Sequence, residues 1–205
     1  IFNALHGKGG EDGVIQSFFE YIGLPYTHSG PLSSMLAMNK HFSKKLFVKN
    51  NIKTPKHFFL DKKDFSIGIV KKEIKKNKLK FPIVLKPNDE GSSIGVNICR
   101  DLNSLYNSFI KLRKKYENLI FENYIPGKEI QVANIGNRAI GAIELRPKRK
   151  FYDYKAKYKK SSKTEHIMPA EISKLKYSEV LRISQKAYKI LKCRGIARCD
   201  FRFYK

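Results

Sequence analysis

The sequence predicts a mixed fold of the α/β (α+β) class, in which helices pack against antiparallel strands. Apolar residues recur at helical spacing in residues 102–116 and 178–193, which indicates two amphipathic helices. Residues 195–205 instead alternate two sets of side chains with a period of two, as a strand does. Strand-like segments cluster after residue 80. This clustering favours an antiparallel sheet with helices on one side.

The N-terminal part is predicted to contain one strand and two helices. The apolar run IFNAL (1–5) suits a buried strand and leads into the glycine-rich segment HGKGGEDG. Helical spacing follows over residues 11–23 and again over 35–51. Ser33 or Ser34 would be a suitable N-cap for the second of these helices.

The remaining predicted elements follow from the same periodicities. They are a turn and strand at 52–60, an exposed lysine-rich helix at 71–79, a strand at 81–87, a loop leading into a strand at 91–100, strands at 118–125, 126–136 and 138–147, and a mostly loop segment at 151–170.

Composition limits the class of protein. The net charge is +24, but the lysines occur in short runs along the whole chain. We therefore interpret most of them as solvated faces that also attract anionic substrates, and we expect no nucleic-acid partner. Three cysteines without a CxxC pair favour reduced thiols in the cytoplasm. No apolar run approaches the ~18 residues of a membrane helix, so no membrane partner is expected.

The segment KPNDEGSSIG (86–95) carries the first functional signal. It matches neither of the two best-known phosphate-binding fingerprints. Its glycines nevertheless allow backbone N–H groups to approach an anion, and Ser92 and Ser93 add hydroxyl donors. Lys86, at the end of the preceding predicted strand, supplies a positive charge. The segment is therefore either an ordinary turn or a cover for phosphates.

Further segments make the sequence resemble the D-alanine–D-alanine ligases, which have the ATP-grasp fold. The matching segments occur in the family's order, and FYDYKAKY following EGSSIG is the most specific pair. They are ALHGKGGEDG (4–13), GLPYTHSG (23–30), LAMNK (36–40), KPNDEGSSIG (86–95), FENYIPGKE (121–129), FYDYKAKY (151–158), HIMPA (166–170) and GIARCDF (195–201).

The resemblance implies a nucleotide site. Lys40, Lys86 and Lys157 correspond to lysines that meet phosphates, and the cover loop contains Glu90, Gly91, Ser92 and Ser93. The adenine-binding linker would be Glu122, Asn123, Tyr124 and Ile125, and the ribose-binding carboxylate would be Glu129.

The resemblance also implies catalytic roles. Tyr158 and Ser92 would lie near the second D-alanine, His6 near the substrate, and Arg198 at the developing oxyanion. Asp200 would bind Mg²⁺ or Mn²⁺. These residue types suit the chemistry, because phosphoryl transfer needs neutralised charge, hard cations prefer carboxylate oxygens and an oxyanion needs a donor. Period-two alternation places Arg198 and Asp200 on one strand face.

The expected function is ATP-dependent joining of two D-alanines through an acyl phosphate, for peptidoglycan precursors in the bacterial cytoplasm. The expected domains are 1–38, a remnant of a Rossmann-like substrate domain; 39–129, the central ATP-grasp subdomain; and 130–205, an incomplete C-terminal subdomain. The family's chains extend further at both ends, so we expect this chain to be truncated and inactive by itself. A homodimer is also expected.

Two alternatives stay open at this point. One is another ATP-grasp ligase that joins a different carboxylate and amine, for which HGKGGEDG and FYDYKAKY would not be expected together. The other is an inactive basic fragment that binds anions or nucleic acid, which the charge of +24 favours.

Overall fold

The computed structural model describes residues 1–147 and 164–204, which form two four-stranded sheets and six α-helices. The helices are α1 (Val14–Tyr21), α2 (Pro31–Met38), α3 (Lys40–Lys49), α4 (Ile67–Lys76), α5 (Leu102–Arg113) and α6 (Lys174–Ile190). The strands are β1 (His57–Asp61), β2 (Ile83–Pro87), β3 (Asn97–Cys99), β4 (Asn118–Asn123), β5 (Lys128–Ile135), β6 (Arg138–Arg146), β7 (Glu165–Ile167) and β8 (Ile196–Phe203).

The first sheet has the strand order β1-β4-β2-β3, and all neighbours are antiparallel. Alternate residues of its strands face α4 and α5, where Phe121, Leu85 and Phe109 are fully buried. The opposite face carries Glu122 and Lys86 and lies against α3. One face of this sheet is therefore a hydrophobic core, and the other positions charged groups.

The second sheet has the order β7-β6-β5-β8, again antiparallel throughout. Ile130 and Val132 of β5 pack with Val180 of α6 in a second core. Residues Glu129 and Gln131 of β5 point to the other face, opposite Arg202 and Asp200 of β8 in register. The strands are antiparallel, as predicted, but they form two sheets and not one, because β4 and β5 belong to different sheets.

The N-terminal region departs most from its predicted structure. Residues 1–5 form no strand, since their backbone bonds to a neighbouring segment in the described part are confined to Ile1, whose N donates to the Pro25 carbonyl and whose carbonyl accepts from Thr27 N at 3.1 Å. An apolar run becomes a strand only where a partner strand satisfies its backbone. The Rossmann-like origin of this region stays a prediction.

The predicted helix over 35–51 is two helices. Asn39 lies between them in an extended conformation, and its side chain accepts a bond from Phe42 N, which caps α3. Ser33 and Ser34 are not caps. They lie inside α2, where Ser33 donates to the Lys192 carbonyl at 2.7 Å.

The segment 151–170 was predicted as mostly loop. Residues 151–163 lie outside the described part, and within 164–170 Glu165–Ile167 forms β7 at the edge of the second sheet. Three residues are too few to show a period of two. The elements predicted after residue 52 are otherwise present, with ends shifted by a few residues.

Candidate functional site

A buried ion cluster lies where α3 meets the first sheet. Glu122 of β4 is only 7% exposed. Its Oε1 bonds to Lys86 Nζ of β2, and its Oε2 lies 2.7 Å from Lys44 Nζ of α3. Lys86 reaches Glu122 because the two residues are diagonal neighbours on one face of paired strands. We call Lys40, Lys44, Lys86 and Glu122 the lysine–glutamate cluster.

The cluster keeps its carboxylate ionised. Burial by itself raises the pKa of Glu122, but Lys86 and then Lys44 outweigh burial and lower this pKa to about 2. Burial also lowers the pKa of Lys44. On the neighbouring strand, burial and then Lys44 lower the pKa of His57 to about 4, so His57 is neutral at pH 7.

Lys40 is held by carbonyl oxygens. Its Nζ donates to the carbonyls of Asn88, at 3.1 Å, and Glu90. Asn88 also fixes the start of α3, because its Oδ1 accepts a bond from His41 N at 2.9 Å. Burial and then Lys86 lower the pKa of Lys40 to about 8, although Asp89, Glu122 and Glu90 oppose this change. Lys40 therefore lies directly beside the glycine–serine loop.

The loop itself has an unusual backbone. Ser92 and Ser93 have φ values of 51° and 61°, and Gly95 has 70°, a region that L-residues seldom adopt. At Gly95 a Cβ would lie 2.8 Å from the Pro87 ring. Two backbone bonds close the loop on itself, from Ile94 N to the Gly91 carbonyl at 3.0 Å and from Val96 N to the Ser93 carbonyl at 3.4 Å.

A second glycine loop contacts the first. A Cβ on Gly91 would lie 3.5 Å from Gly7 Cα and 3.6 Å from Glu11 Oε2. Glu11 accepts a bond from Gly7 N and lies 3.7 Å from Nδ1 of the exposed His6. The predicted substrate histidine and the predicted phosphate cover therefore belong to facing loops.

The linker after β4 runs between the two sheets. Asn123 Oδ1 accepts from Lys80 N at 3.0 Å, and Tyr124 N donates to the Pro82 carbonyl at 3.0 Å. The Ile125 carbonyl accepts from Arg202 Nε at 3.3 Å, and Arg202 Nη1 lies 3.3 Å from Glu129 Oε2. The predicted adenine and ribose residues are therefore contiguous, and they join the first sheet to β8.

Arg198 and Asp200 lie on one face of β8, as predicted, and this face points away from α6 because Phe201 and Phe203 of the other face pack toward Val180. Arg198 Nε donates to Asp200 Oδ1 at 2.8 Å, and both side chains are exposed. No group of three or more histidine, cysteine, aspartate or glutamate side chains within 1–147 and 164–204 could hold a metal. Within these residues Asp200 therefore does not complete a metal site by itself.

The structure brings together Lys40, Lys86, Glu122 and the backbone of Glu90, and it pairs Arg198 with Asp200. Lys157 and Tyr158 lie outside the described residues. Lys44 was missed by sequence reasoning. Its spacing was the available signal, because Lys44 is four residues after Lys40 and shares its helix face.

Comparisons with known proteins agree with this geometry. Residues 46–205 match the family described as D-ala D-ala ligase C-terminus. A D-alanine--D-alanine ligase of Pelagibacter ubique (strain HTCC1062) is 50% identical over 204 residues, which are 100% of this chain and 66% of the relative.

Solved structures are also similar. The D-alanine--D-alanine ligase of Bacillus anthracis superimposes with a TM-score of 0.84 at 34% identity, over 100% of this chain and 65% of that chain. The complex of the Bacillus anthracis ligase with ATP superimposes with a TM-score of 0.81 at 31% identity, over 100% of this chain and 63% of that chain. The chain thus spans slightly less than two thirds of these relatives' length.

The two antiparallel sheets and their likeness to these structures define the class of protein, which is the ATP-grasp fold. Within that class, the chain belongs to the D-ala D-ala ligase C-terminus family. No helix in residues 1–147 or 164–204 has the length and apolarity to cross a membrane.

Proposed function

We propose that this protein is an ATP-dependent ligase that joins two D-alanines into D-alanyl-D-alanine for peptidoglycan precursors. One observation carries the proposal. The buried Glu122 and the half-buried Lys86 and Lys40 converge beside the glycine–serine loop, in a chain that is 50% identical over its whole length to a D-alanine--D-alanine ligase. This set of groups suits a nucleotide with several negative charges.

We assign the nucleotide contacts to residues on both sides of that loop. Lys40 and Lys86, with Lys157, neutralise the phosphates, since ammonium groups stabilise the charge that moves during phosphoryl transfer. The loop residues Glu90, Gly91, Ser92 and Ser93 cover them. The base and sugar are held by Glu122, Asn123, Tyr124, Ile125 and Glu129.

The reaction has two steps. A carboxylate oxygen of the first D-alanine attacks the γ-phosphorus of ATP, and ADP leaves with the electrons of the broken P–O bond. The amine of the second D-alanine then attacks the resulting acyl phosphate, loses a proton, and phosphate leaves. One carboxylate oxygen of the first D-alanine thus leaves as part of the phosphate, whereas a free carboxylate could not release it.

Arg198 is assigned to the tetrahedral intermediate of the second step. A guanidinium donor aimed at an oxyanion typically contributes a factor of about 10²–10³ in rate. Ser92 and Tyr158 are assigned to the second D-alanine, and His6 to the first substrate. Asp200 would contribute one carboxylate to a Mg²⁺ or Mn²⁺ ion that needs further ligands.

The domain division at residues 38 and 129, a homodimeric state and a cytoplasmic location are part of the same proposal. The sheets support a division close to 129, because β4, the last strand of the first sheet, ends at Asn123 and β5, the first strand of the second, begins at Lys128. D-Alanine is the small-molecule substrate, and no nucleic-acid or membrane partner is invoked.

The test is a chimera. Residues 1–205 replace the matching segment of the Pelagibacter ubique relative, and phosphate release from ATP is measured with and without D-alanine. We expect D-alanine-dependent release and D-alanyl-D-alanine as product. A chimera that folds and binds ATP but releases no phosphate with D-alanine contradicts the proposal, and a preference for another amino acid favours a different ligase.

A further inference from the structure

Lys44 is a buried lysine that the proposed reaction does not use. Its Nζ lies 2.7 Å from Glu122 Oε2, and its side chain is 10% exposed. Buried lysines are rare unless they are paired. Here the partner carboxylate already has Lys86 on its other oxygen. One glutamate therefore holds two ammonium groups, one on each oxygen.

The helix explains how Lys44 arrives there. Lys40 and Lys44 are one turn apart on the same face of α3, so both side chains meet the first sheet. Lys40 turns to the carbonyls of Asn88 and Glu90, beside the loop. Lys44 instead reaches Glu122, with His57 on the neighbouring strand.

Nucleotide binding changes which lysine neutralises Glu122. In the proposed site, Lys86 must turn at least one of its donors to a phosphate or to the base. If Glu122 had Lys86 as its only partner, this movement would leave a buried carboxylate unpaired. Removing one partner of a buried ion pair is strongly destabilising, so that cost would be subtracted from nucleotide affinity.

We propose that Lys44 is a positioning residue for the nucleotide site, a permanent counterion that keeps Glu122 paired while Lys86 turns to the nucleotide. The inference rests on the proposed ATP function. Lys44 touches no nucleotide atom and acts through Glu122. Two lysines on one carboxylate thus have different tasks: Lys44 stays with Glu122, and Lys86 is shared with the ligand.

The experiment is a double-mutant cycle on ATP binding, measured by calorimetry on the 205-residue chain with ATP and Mg²⁺. The variants are Lys44→Met, Glu122→Gln and their combination. Lys44→Arg tests rescue, because a guanidinium keeps the charge. Lys49→Met, an exposed lysine on the same helix, is the matched control. Thermal unfolding of each variant reports folding separately, and Lys44→Gln replaces Lys44→Met if the latter is unfolded.

We expect Lys44→Met to weaken ATP binding about 10-fold to 100-fold. Lys44→Arg should stay within about threefold of the unaltered chain, and Lys49→Met should leave binding unchanged. In the Glu122→Gln background, Lys44→Met should have little further effect, since no charge is left to neutralise. A role confined to folding would lower the unfolding temperature without this coupling.

Three results would overturn the inference. The first is an unchanged ATP affinity in Lys44→Met. The second is that Lys44→Met weakens ATP binding equally in the unaltered chain and in the Glu122→Gln background, which would make Lys44 a direct nucleotide ligand. The third is that Lys44→Arg does not restore ATP affinity. If the unaltered chain binds no ATP, the proposed function fails first and the inference fails with it.

Discussion

The lysine–glutamate cluster of the first sheet and the Arg198–Asp200 pair of β8 use the same kind of charges in opposite surroundings. Glu122 is buried and holds two lysines, whereas Arg198 and Asp200 are both exposed. Desolvated charges interact strongly but must be paired, while exposed pairs contribute little. The first region is therefore tied to folding, whereas breaking the exposed pair of the second should have little effect on stability.

The largest expected effect is the loss of the central carboxylate. Glu122→Gln leaves Lys44 and Lys86 buried without a counterion, so the free energy of unfolding should fall by about 3–5 kcal/mol. Urea denaturation at pH 7 measures it. The matched control on β8 is Asp200→Asn. If Glu122→Gln lowered the free energy of unfolding by less than about 1 kcal/mol, the distinction between the two regions would be contradicted.

Acid should affect the same cluster. The pKa of Glu122 is lowered from 4.5 to about 2 in the folded chain, so between these values the unfolded chain binds more protons. This contribution to stability is complete above about pH 4.5 and disappears as the pH falls through 2, by about 3 kcal/mol in all. Unfolding curves of the unaltered chain and Glu122→Gln from pH 6 to 3 should converge. Parallel curves would contradict the assignment.

Backbone geometry gives an intermediate effect. Gly95→Ala combines a φ of +70° with a Cβ 2.8 Å from Pro87, whereas Gly136, in the turn between β5 and β6, has a φ of +55° and open space. We expect Gly95→Ala to cost about 2 kcal/mol and Gly136→Ala about 1 kcal/mol. Thermal unfolding compares them, and equal costs would show that the approach to Pro87 is relaxed easily.

The pKa of Lys40, about 8, should set an alkaline limit on the proposed nucleotide binding. Only the protonated ammonium attracts phosphate, so ATP affinity should fall as the pH rises through 8, by up to about tenfold per pH unit. Calorimetric titrations at pH 7, 8 and 9 measure this. Lys40→Arg should flatten the profile, because arginine stays charged, and an unchanged slope in that variant would assign the titration elsewhere.

The smallest effect is expected on β8. Asp200→Asn and Arg198→Met break an exposed pair, so each should change the free energy of unfolding by less than about 0.5 kcal/mol. Urea denaturation in low and high salt checks it. In the active chimera, Arg198→Met should nevertheless slow turnover by about 10²–10³. A loss of stability as large as that of Glu122→Gln would make the pair structural.

The sequence predicted much of the fold because long periodic segments are informative. Residues 118–125 and 195–205 contain β4 and β8, and period two placed Arg198 and Asp200 on one face. The apolar run at 1–5 was misleading, because pairing with a neighbour and not composition decides whether a strand forms. The break at Asn39 was visible as an N-cap residue after a helix-compatible run.

The site was less predictable. Lys40 and Lys86 followed from a family resemblance, and the structure now places them next to Glu122. The spacing of Lys44 from Lys40 was the one signal for it, and this signal is weak in a chain with a net charge of +24, where many solvated lysines share such spacing. The burial of Lys44 depends on how α3 lies on the first sheet, a tertiary contact that periodicity does not contain.

The attachment of α2 has a consequence for synthesis. Ser29 and Ser33 donate to the carbonyls of Arg194 and Lys192, across separations of 165 and 159 residues. At about 5–20 residues per second, a ribosome needs roughly 10–30 s to make the chain between these partners. During that interval Ser29 and α2 have been synthesised but lack their partners at Arg194 and Lys192, so the surface that these partners cover stays open to chaperones. Translation speed between residues 33 and 192 should therefore influence the yield of folded protein more than speed before residue 29.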